Sequence, residues 1–285
     1  MRLRFGIFPS PAVGDLEVTL AAVEAADDEG LDLVGVQDHP YVDRFLDVMT
    51  LITWLAAATD RVTFLTDVAN LPLRPPAVLA KQAASIDVLT GGRFELGLGA
   101  GGNWDAISAF GGERRTPGEA VTATDEAIAV MRSVWGDGRR VDGEHYHLRG
   151  VRPGPAAPHE IPISIGAHGP RMLALIGRLA DGWLPSLPFV PPDELAGKHA
   201  IIDRAAEDAG RDPSAITRMY NVSGEITDGP GSGFLRGPEN QWVDQLAWLH
   251  EAHRIDTFIL WPRGDVVDQV RRFAGVARRM RDSTG

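Results

Sequence analysis

The chain contains no cysteine, which removes disulfide frameworks, thiolate zinc sites and cysteine nucleophiles together. Lysine is nearly absent too: Lys81 and Lys198 are the only two, so positive charge rests almost wholly on arginine. There is no basic surplus. A formal net charge of −11 argues against a nucleic-acid partner, whose phosphates need neutralising, and offers nothing to an anionic membrane. No stretch approaches the ~20 apolar residues of a membrane span, and the opening MRLRFGIFPSP lacks the apolar run of a signal peptide. A cytoplasmic protein is expected. His145/His147 and His250/His253 have spacing that a metal uses, but no carboxylate cluster accompanies them, so they read as a hairpin face and a helix surface, and no metal is expected.

What is present suits one large core. The 285 residues are 44% hydrophobic, ordinary for a single α/β barrel. Residues 3–8 alternate as a first strand that stops at Pro9-Ser10-Pro11. Asp15 is placed to cap a helix over residues 16–28, ended by Gly30. Residues 31–36 form the continuous apolar run of a strand buried on both faces. Further helix patterns cover residues 48–58, 77–89, 118–135, 170–180, a part of 192–209, 242–253 and 265–281. Strand patterns cover 62–68, 93–98, 161–166, 182–184, 217–226 and 257–261, and Asp142-Gly143 marks a hairpin between residues 139 and 148. Eight strand-helix steps in strict order predict a parallel (β/α)8 TIM barrel, with hairpin and loops inserted at the C-terminal face.

Two long connections, 136–160 and 227–239, have the size of binding loops or lids. The second is glycine-rich with Phe234 and Leu235 at its tip, which reads equally as a mobile cover or a disordered surface loop. The stretch Gly97-Leu98-Gly99-Ala100-Gly101-Gly102 satisfies the dinucleotide pattern GxGxxG, but it leads to Asn103-Trp104-Asp105 and another glycine pair rather than opening a long helix. Its glycines let a flat ring or a phosphate approach the main chain.

Several of these stretches together carry a resemblance. Asp38-His39 follows the second strand; Asp87-Val88-Leu89-Thr90-Gly91-Gly92-Arg93 leads into Gly97-Leu98-Gly99; Ala109-Phe110-Gly111, Ile161-Pro162-Ile163-Ser164-Ile165-Gly166, Ala180-Asp181-Gly182-Trp183 and Asp256-Thr257-Phe258-Ile259-Leu260-Trp261-Pro262 come after. In this order they resemble the luciferase-like monooxygenase superfamily, the barrel flavoproteins that include bacterial luciferase and the coenzyme F420-dependent oxidoreductases. The resemblance implies one luciferase-like barrel domain over residues 1–285, a flavin or deazaflavin at the C-terminal ends of the strands, and a homodimer.

It also assigns candidate residues. The Asp-His pair of the deazaflavin branch lies against the ring, which makes His39 the acid or base, with Asp38 orienting it or raising its pKa. The family often has a non-proline cis peptide behind the ring, and Asp67-Val68 is the candidate. Asp67 departs from the small or apolar residue expected there. Gly99, Ala100, Gly101 and Gly102 are expected to hold the ring. Gly166, Ala167, His168, Gly169, Pro170 and Arg171 enter a helix N-terminus, where free amides and the helix dipole suit the coenzyme's phosphate. Trp104, Trp183 and Phe234 are candidate pocket walls, and Trp261 reads as core or rim packing. The family's sugar-phosphate dehydrogenase has a glutamate after the strand-four glycines and lysines on the substrate phosphate; here the first position is Gly102 and neither lysine matches, so a sugar phosphate is not the expected substrate.

The leading expectation is therefore an F420-dependent oxidoreductase moving a hydride between the deazaflavin C5 and a small organic substrate. An FMN-dependent monooxygenase, in which the pocket shields a reactive flavin from water, is the alternative. A barrel that binds flavin without turnover is the alternative from another class.

Overall fold

The computed structural model describes residues 3–284. Among them, β1 (Arg4–Ile7), β2 (Leu33–Val36), β3 (Thr63–Thr66), β4 (Phe94–Gly99), β5 (Ile163–Gly166), β6 (Gly182–Trp183), β7 (Thr217–Ile226) and β8 (Thr257–Pro262) pair in parallel in sequence order, and β8 returns to β1. This is a closed (β/α)8 barrel. The outer layer is α1 (Leu16–Asp28), α2 (Val48–Ala56), α3 (Pro76–Thr90), α4 (Pro117–Trp135), α5 (Pro170–Leu179), α6 (Pro192–Asp208), α7 (Glu239–His253) and α8 (Val266–Thr284).

Local chemistry sets the ends of these elements. Asp47 caps α2 through Thr50 N, Thr116 and Glu119 form a reciprocal capping box on α4, and α3 stops at Gly91 in the left-handed region. Asp15 occupies the cap position of α1 but makes no cap bond; its carboxylate takes the Ser10 hydroxyl at 2.7 Å instead. At the N-terminal face one device recurs. The aspartate just before an even-numbered strand accepts an amide of the preceding odd strand: Asp32 from Phe5, Asp181 from Ile163, Asp256 from Arg218. Before β4 the residue is Arg93, whose guanidinium binds the carbonyls of Val62, Thr59 and Ala56. Each satisfies backbone groups at this end of the barrel.

The lumen is filled in layers, since a barrel of this size is a packed core and no pore. Arg4 and Glu95 span it at the bottom with a 2.6 Å ion pair. Above them lies an apolar plug of Leu33, Leu65, Leu184, Met219, Ile259 and Phe8, against which Val68 packs. The next layer is polar: Asn221 Nδ2 donates to Asp67 Oδ1 and to Ser186 Oγ, both at 3.1 Å.

The two long connections go to different places. The hairpin Val141–Asp142/His147–Leu148 leaves the far end of α4 and lies along that helix, where the Glu126 carboxylate accepts the amides of Glu144, His145 and Tyr146. His159 of the same connection meets Asp87 near the end of α3. Of the two, the segment after β7 is the one that reaches the mouth. It is held there: Arg236–Gly237 extends the sheet beside β7, Leu235 is fully buried, and Gln241 and Gln245 bond its backbone. The buried Leu235 and the two glutamine bonds tie this segment to the barrel, where its glycines had read equally as a mobile cover or a disordered surface loop.

Between β3 and β4 the ladder runs from Leu65↔Glu95 to Ala69↔Leu98, so β3 carries one residue more than its neighbour. The extra residue forms a bulge at Asp67-Val68, where the peptide is cis as expected. Thr66 Oγ1 fills the gap in the ladder, accepting from Gly97 N and donating to Gly97 O. The bulge turns Val68 onto β4 and β5, and there the glycines are needed: a Cβ on Gly99 would stand 2.7 Å, and one on Gly166 3.2 Å, from a Val68 methyl. These glycines therefore make room for Val68.

A Cβ on Gly97 would lie 2.0 Å from the Thr66 carbonyl oxygen, whereas one on Gly102 would meet nothing within 4 Å. Gly97→Ala is expected to lose about 1–3 kcal/mol in urea unfolding, and Gly102→Ala to leave the transition nearly unchanged.

Candidate active site

The mouth is built from the segments that follow each strand. After β2 the chain presents Asp38 and His39, but the two side chains do not form a pair. Asp38 is buried and turned toward the next loop, where its Oδ2 accepts Arg74 Nε at 2.6 Å and Asn70 N at 2.8 Å, and its Oδ1 accepts Arg74 Nη2 at 2.8 Å. Arg74 also reaches the α2 cap, donating to Asp47 Oδ2 at 2.6 Å. This bidentate, charge-assisted clamp fixes the loop after β2 to the one after β3. The orienting role expected of Asp38 is corrected on this point: its carboxylate is committed to Arg74.

His39 is exposed at the mouth, its Nδ1 2.9 Å from the Tyr41 hydroxyl, with the rings of Tyr41 and Phe45 beside it. Partial desolvation holds the imidazole below its ordinary pKa of 6.5, opposed by the negative charge of Asp38. The group is thus largely neutral at pH 7. Tyr41 and Arg74 escaped the sequence reading. Arg74 sits in the proline cluster after β3, and nothing in its own neighbourhood signals a partner 36 residues away.

Asp67 forms the floor. It is buried, its Oδ1 has the single amide donor from Asn221, and its Oδ2 has no partner. Burial pushes its carboxyl up to about 7, with the Asn221 bond opposing. Asn70 Oδ1 and Asn221 Oδ1 are likewise buried without donors. Three unpaired acceptors at one barrel end are a cost that folding does not need.

Of the predicted walls, one differs from expectation. Trp104 starts a helix over Trp104–Ala109 that the sequence reading passed over, and its ring covers Gly101, which has φ +104°. Trp183 is not a wall. It points outward, fully buried between barrel and helices, donating to Ala167 O at 3.0 Å and meeting His199 edge-on. Gly182, its neighbour, takes the lumen side against Ser164. Phe234 does line a mouth cavity of about 600 Å³. Trp261 is at the rim, 5.2 Å from Phe8. A groove of about 630 Å³ between α4 and α5, lined by Ile128, Arg132 and Leu179, contains no strand-end residue and lies apart from the mouth.

The segment 166–171 leads into α5 with His168, Gly169, Pro170 and Arg171 exposed, and no side chain caps the first turn. Lys198 approaches it from α6, donating to His168 O at 3.1 Å while paired with Glu194. Lysine thus reaches this loop from a position that offered no motif. Burial and the Lys198 charge depress the His168 pKa.

Against known proteins, the model described as luciferase-like monooxygenase matches residues 3–228. The chain belongs to the luciferase-like monooxygenase family. Within this enzyme family it is similar to the F420-dependent glucose-6-phosphate dehydrogenase of Gordonia bronchialis, 31% identical over 237 residues, covering 77% of this chain and 68% of that one. It is also 33% identical over 186 residues to an uncharacterised protein of Mycobacterium tuberculosis, covering 65% of this chain and 62% of its relative. Among solved structures, an F420-dependent secondary alcohol dehydrogenase in complex with an F420-acetone adduct superposes with a TM-score of 0.87 at 20% identity, covering 98% of this chain and 99% of that one. That likeness concerns the barrel alone.

The Asp67 carboxyl gives a stability test. Its native pKa of about 7 lies above the ordinary 3.8, so between pH 4 and 7 the unfolded chain releases this proton first and native stability falls with rising pH. Asp67→Asn is expected to remove that slope and to stabilise the protein above pH 7, by up to about 4 kcal/mol, with little change near pH 4; thermal unfolding across this range reads it out. Conversely, Arg74→Met strands the buried Asp38 carboxylate and is expected to cost about 3–5 kcal/mol, measured by urea unfolding at pH 7.

Proposed function

We propose that the protein is an F420-dependent oxidoreductase acting on a small organic substrate, with His39 as acid or base. The observation that carries the reading is His39 itself: an open, largely neutral imidazole at the mouth, on a loop clamped by Asp38 and Arg74. Relatives named for F420 chemistry support the coenzyme, among them the Gordonia dehydrogenase. The unpaired acceptors of Asp67, Asn70 and Asn221 fit a ring edge with N–H donors, and the uncapped first turn of α5 with Arg171 and Lys198 fits its phosphate.

When bound, the deazaflavin supplies a hydride acceptor or donor at C5. The chain's own part is proton handling and exclusion of water. In alcohol oxidation, neutral His39 takes the hydroxyl proton; in carbonyl reduction the imidazolium returns it to oxygen. Tyr41, bonded to Nδ1, fixes the ring orientation and leaves Nε2 for the substrate. Because desolvation favours the neutral ring, His39 is poised more for taking a proton than for holding one at pH 7.

The FMN-dependent monooxygenase reading shares the same floor and phosphate loop, and the family name supports it. Fluorescence titration with oxidised F420 and with FMN separates the two. Tight binding of F420 with at least tenfold weaker FMN is expected, and the reverse order overturns the reading. His39→Ala is expected to keep F420 affinity within about threefold and to lower turnover by roughly 10²–10⁴. For the wild type, alcohol oxidation is expected to fall on acidification and to reach half its plateau below pH 6.5, the ordinary histidine value.

A further inference from the structure

We propose that the cavity beyond β7 and β8 binds a carboxylate-bearing ligand with an aromatic or other flat apolar body, and that Arg236 and Arg263 receive its carboxylate. The proposal deepens the functional reading, because it takes this cavity as the substrate side of the barrel mouth.

The position follows from strand periodicity. Along β7, Met219, Asn221 and Ser223 point the same way: Met219 joins the lumen plug, Asn221 bonds Asp67, and Ser223 lines the cavity. The cavity therefore continues the column that ends in the polar floor. Its walls are apolar and already in place. Phe234 stands edge-on to Trp248 with ring centroids 6.1 Å apart, and Leu187, Pro188 and Pro192 close the other side. Phe234 is held by its neighbour Leu235, fully buried and bonded through its amide to Gln245 Oε1 at 2.7 Å.

The charge is the second observation. The protein carries a net −11, and many of its arginines sit on carboxylates, such as Arg4, Arg74, Arg218 and Arg272. Arg236 and Arg263 line this cavity, and among the described residues neither has a carboxylate within ion-pair distance. Arg263 donates from Nε to Ser223 Oγ at 3.2 Å, which fixes the side chain over the cavity and leaves its two terminal nitrogens for a planar anion. A guanidinium presents a fork that matches a carboxylate in two parallel bonds. A cavity of about 600 Å³ with apolar walls and two exposed arginines among its lining fits a ligand with an anionic head on a flat apolar body.

The test uses the full chain without coenzyme and follows 3-phenylpropionate and 3-phenylpropan-1-ol, matched in skeleton, by calorimetry and ligand-detected NMR. The acid is expected to bind at least tenfold more tightly than the alcohol and to weaken with salt. Arg263→Gln and Arg236→Gln should each lower acid affinity about fivefold or more and leave the alcohol unchanged. Phe234→Ala should weaken both, and Arg271→Gln, an exposed arginine on α8, should change neither. Equal affinity for acid and alcohol, no loss in either cavity arginine variant, or inorganic phosphate displacing the acid at equal concentration would each overturn the proposal. Because no coenzyme is present, failure here leaves the F420 titration standing, and failure of that titration leaves the anion site standing.

Discussion

Everything at the mouth depends on the way the lumen is filled. A parallel barrel buries both faces of every strand, so side chains must occupy its interior, and here they do so with an ion pair below and an apolar plug above it. That plug sets the depth of the site. What stands on it is the first layer open to polar chemistry: Asp67, Asn221 and Ser186. The bulge that puts Asp67 there also turns Val68 sideways, and β4 and β5 lose their side chains at Gly97, Gly99 and Gly166 to accommodate it. At Gly97 and Gly99, then, the glycine-rich stretch answers an internal packing demand.

The two faces of the barrel carry different burdens. At the N-terminal face, Asp32, Asp181, Asp256 and Arg93 satisfy backbone groups. At the C-terminal face, polar atoms are left unsatisfied, and one carboxyl is held far from its ordinary pKa. The Asp67 carboxyl, buried with one oxygen unpartnered, is the kind of group that functional sites carry at a cost to stability.

Much of this was legible in the sequence. β7 was read to the residue and α1 likewise, because their patterns are long and bounded by clear breakers. The helix Trp104–Ala109 was not, since six residues between glycine pairs carry no usable period. Asp67-Val68 and His39 were found through family resemblance, which transfers position. Partners do not transfer in that way: Asp38 and His39 are adjacent in sequence yet face apart, and Arg74, the residue that decides what Asp38 does, is 36 positions away. Trp183 was misplaced for want of one parity step, as Gly182 takes the lumen side and sends the tryptophan outward. The charge on Lys198 came to the loop before α5 through packing of α6 beside it, a tertiary fact with no local signature.

The pinned segment after β7 bears on kinetics. A wall whose tip residue, Leu235, is already in the core does not have to be ordered when a ligand arrives, so association carries no folding step on that side and dissociation no unfolding step. On the proposal that this cavity takes a ligand, selection rests on a shape that Phe234, Pro188 and their neighbours already form before encounter.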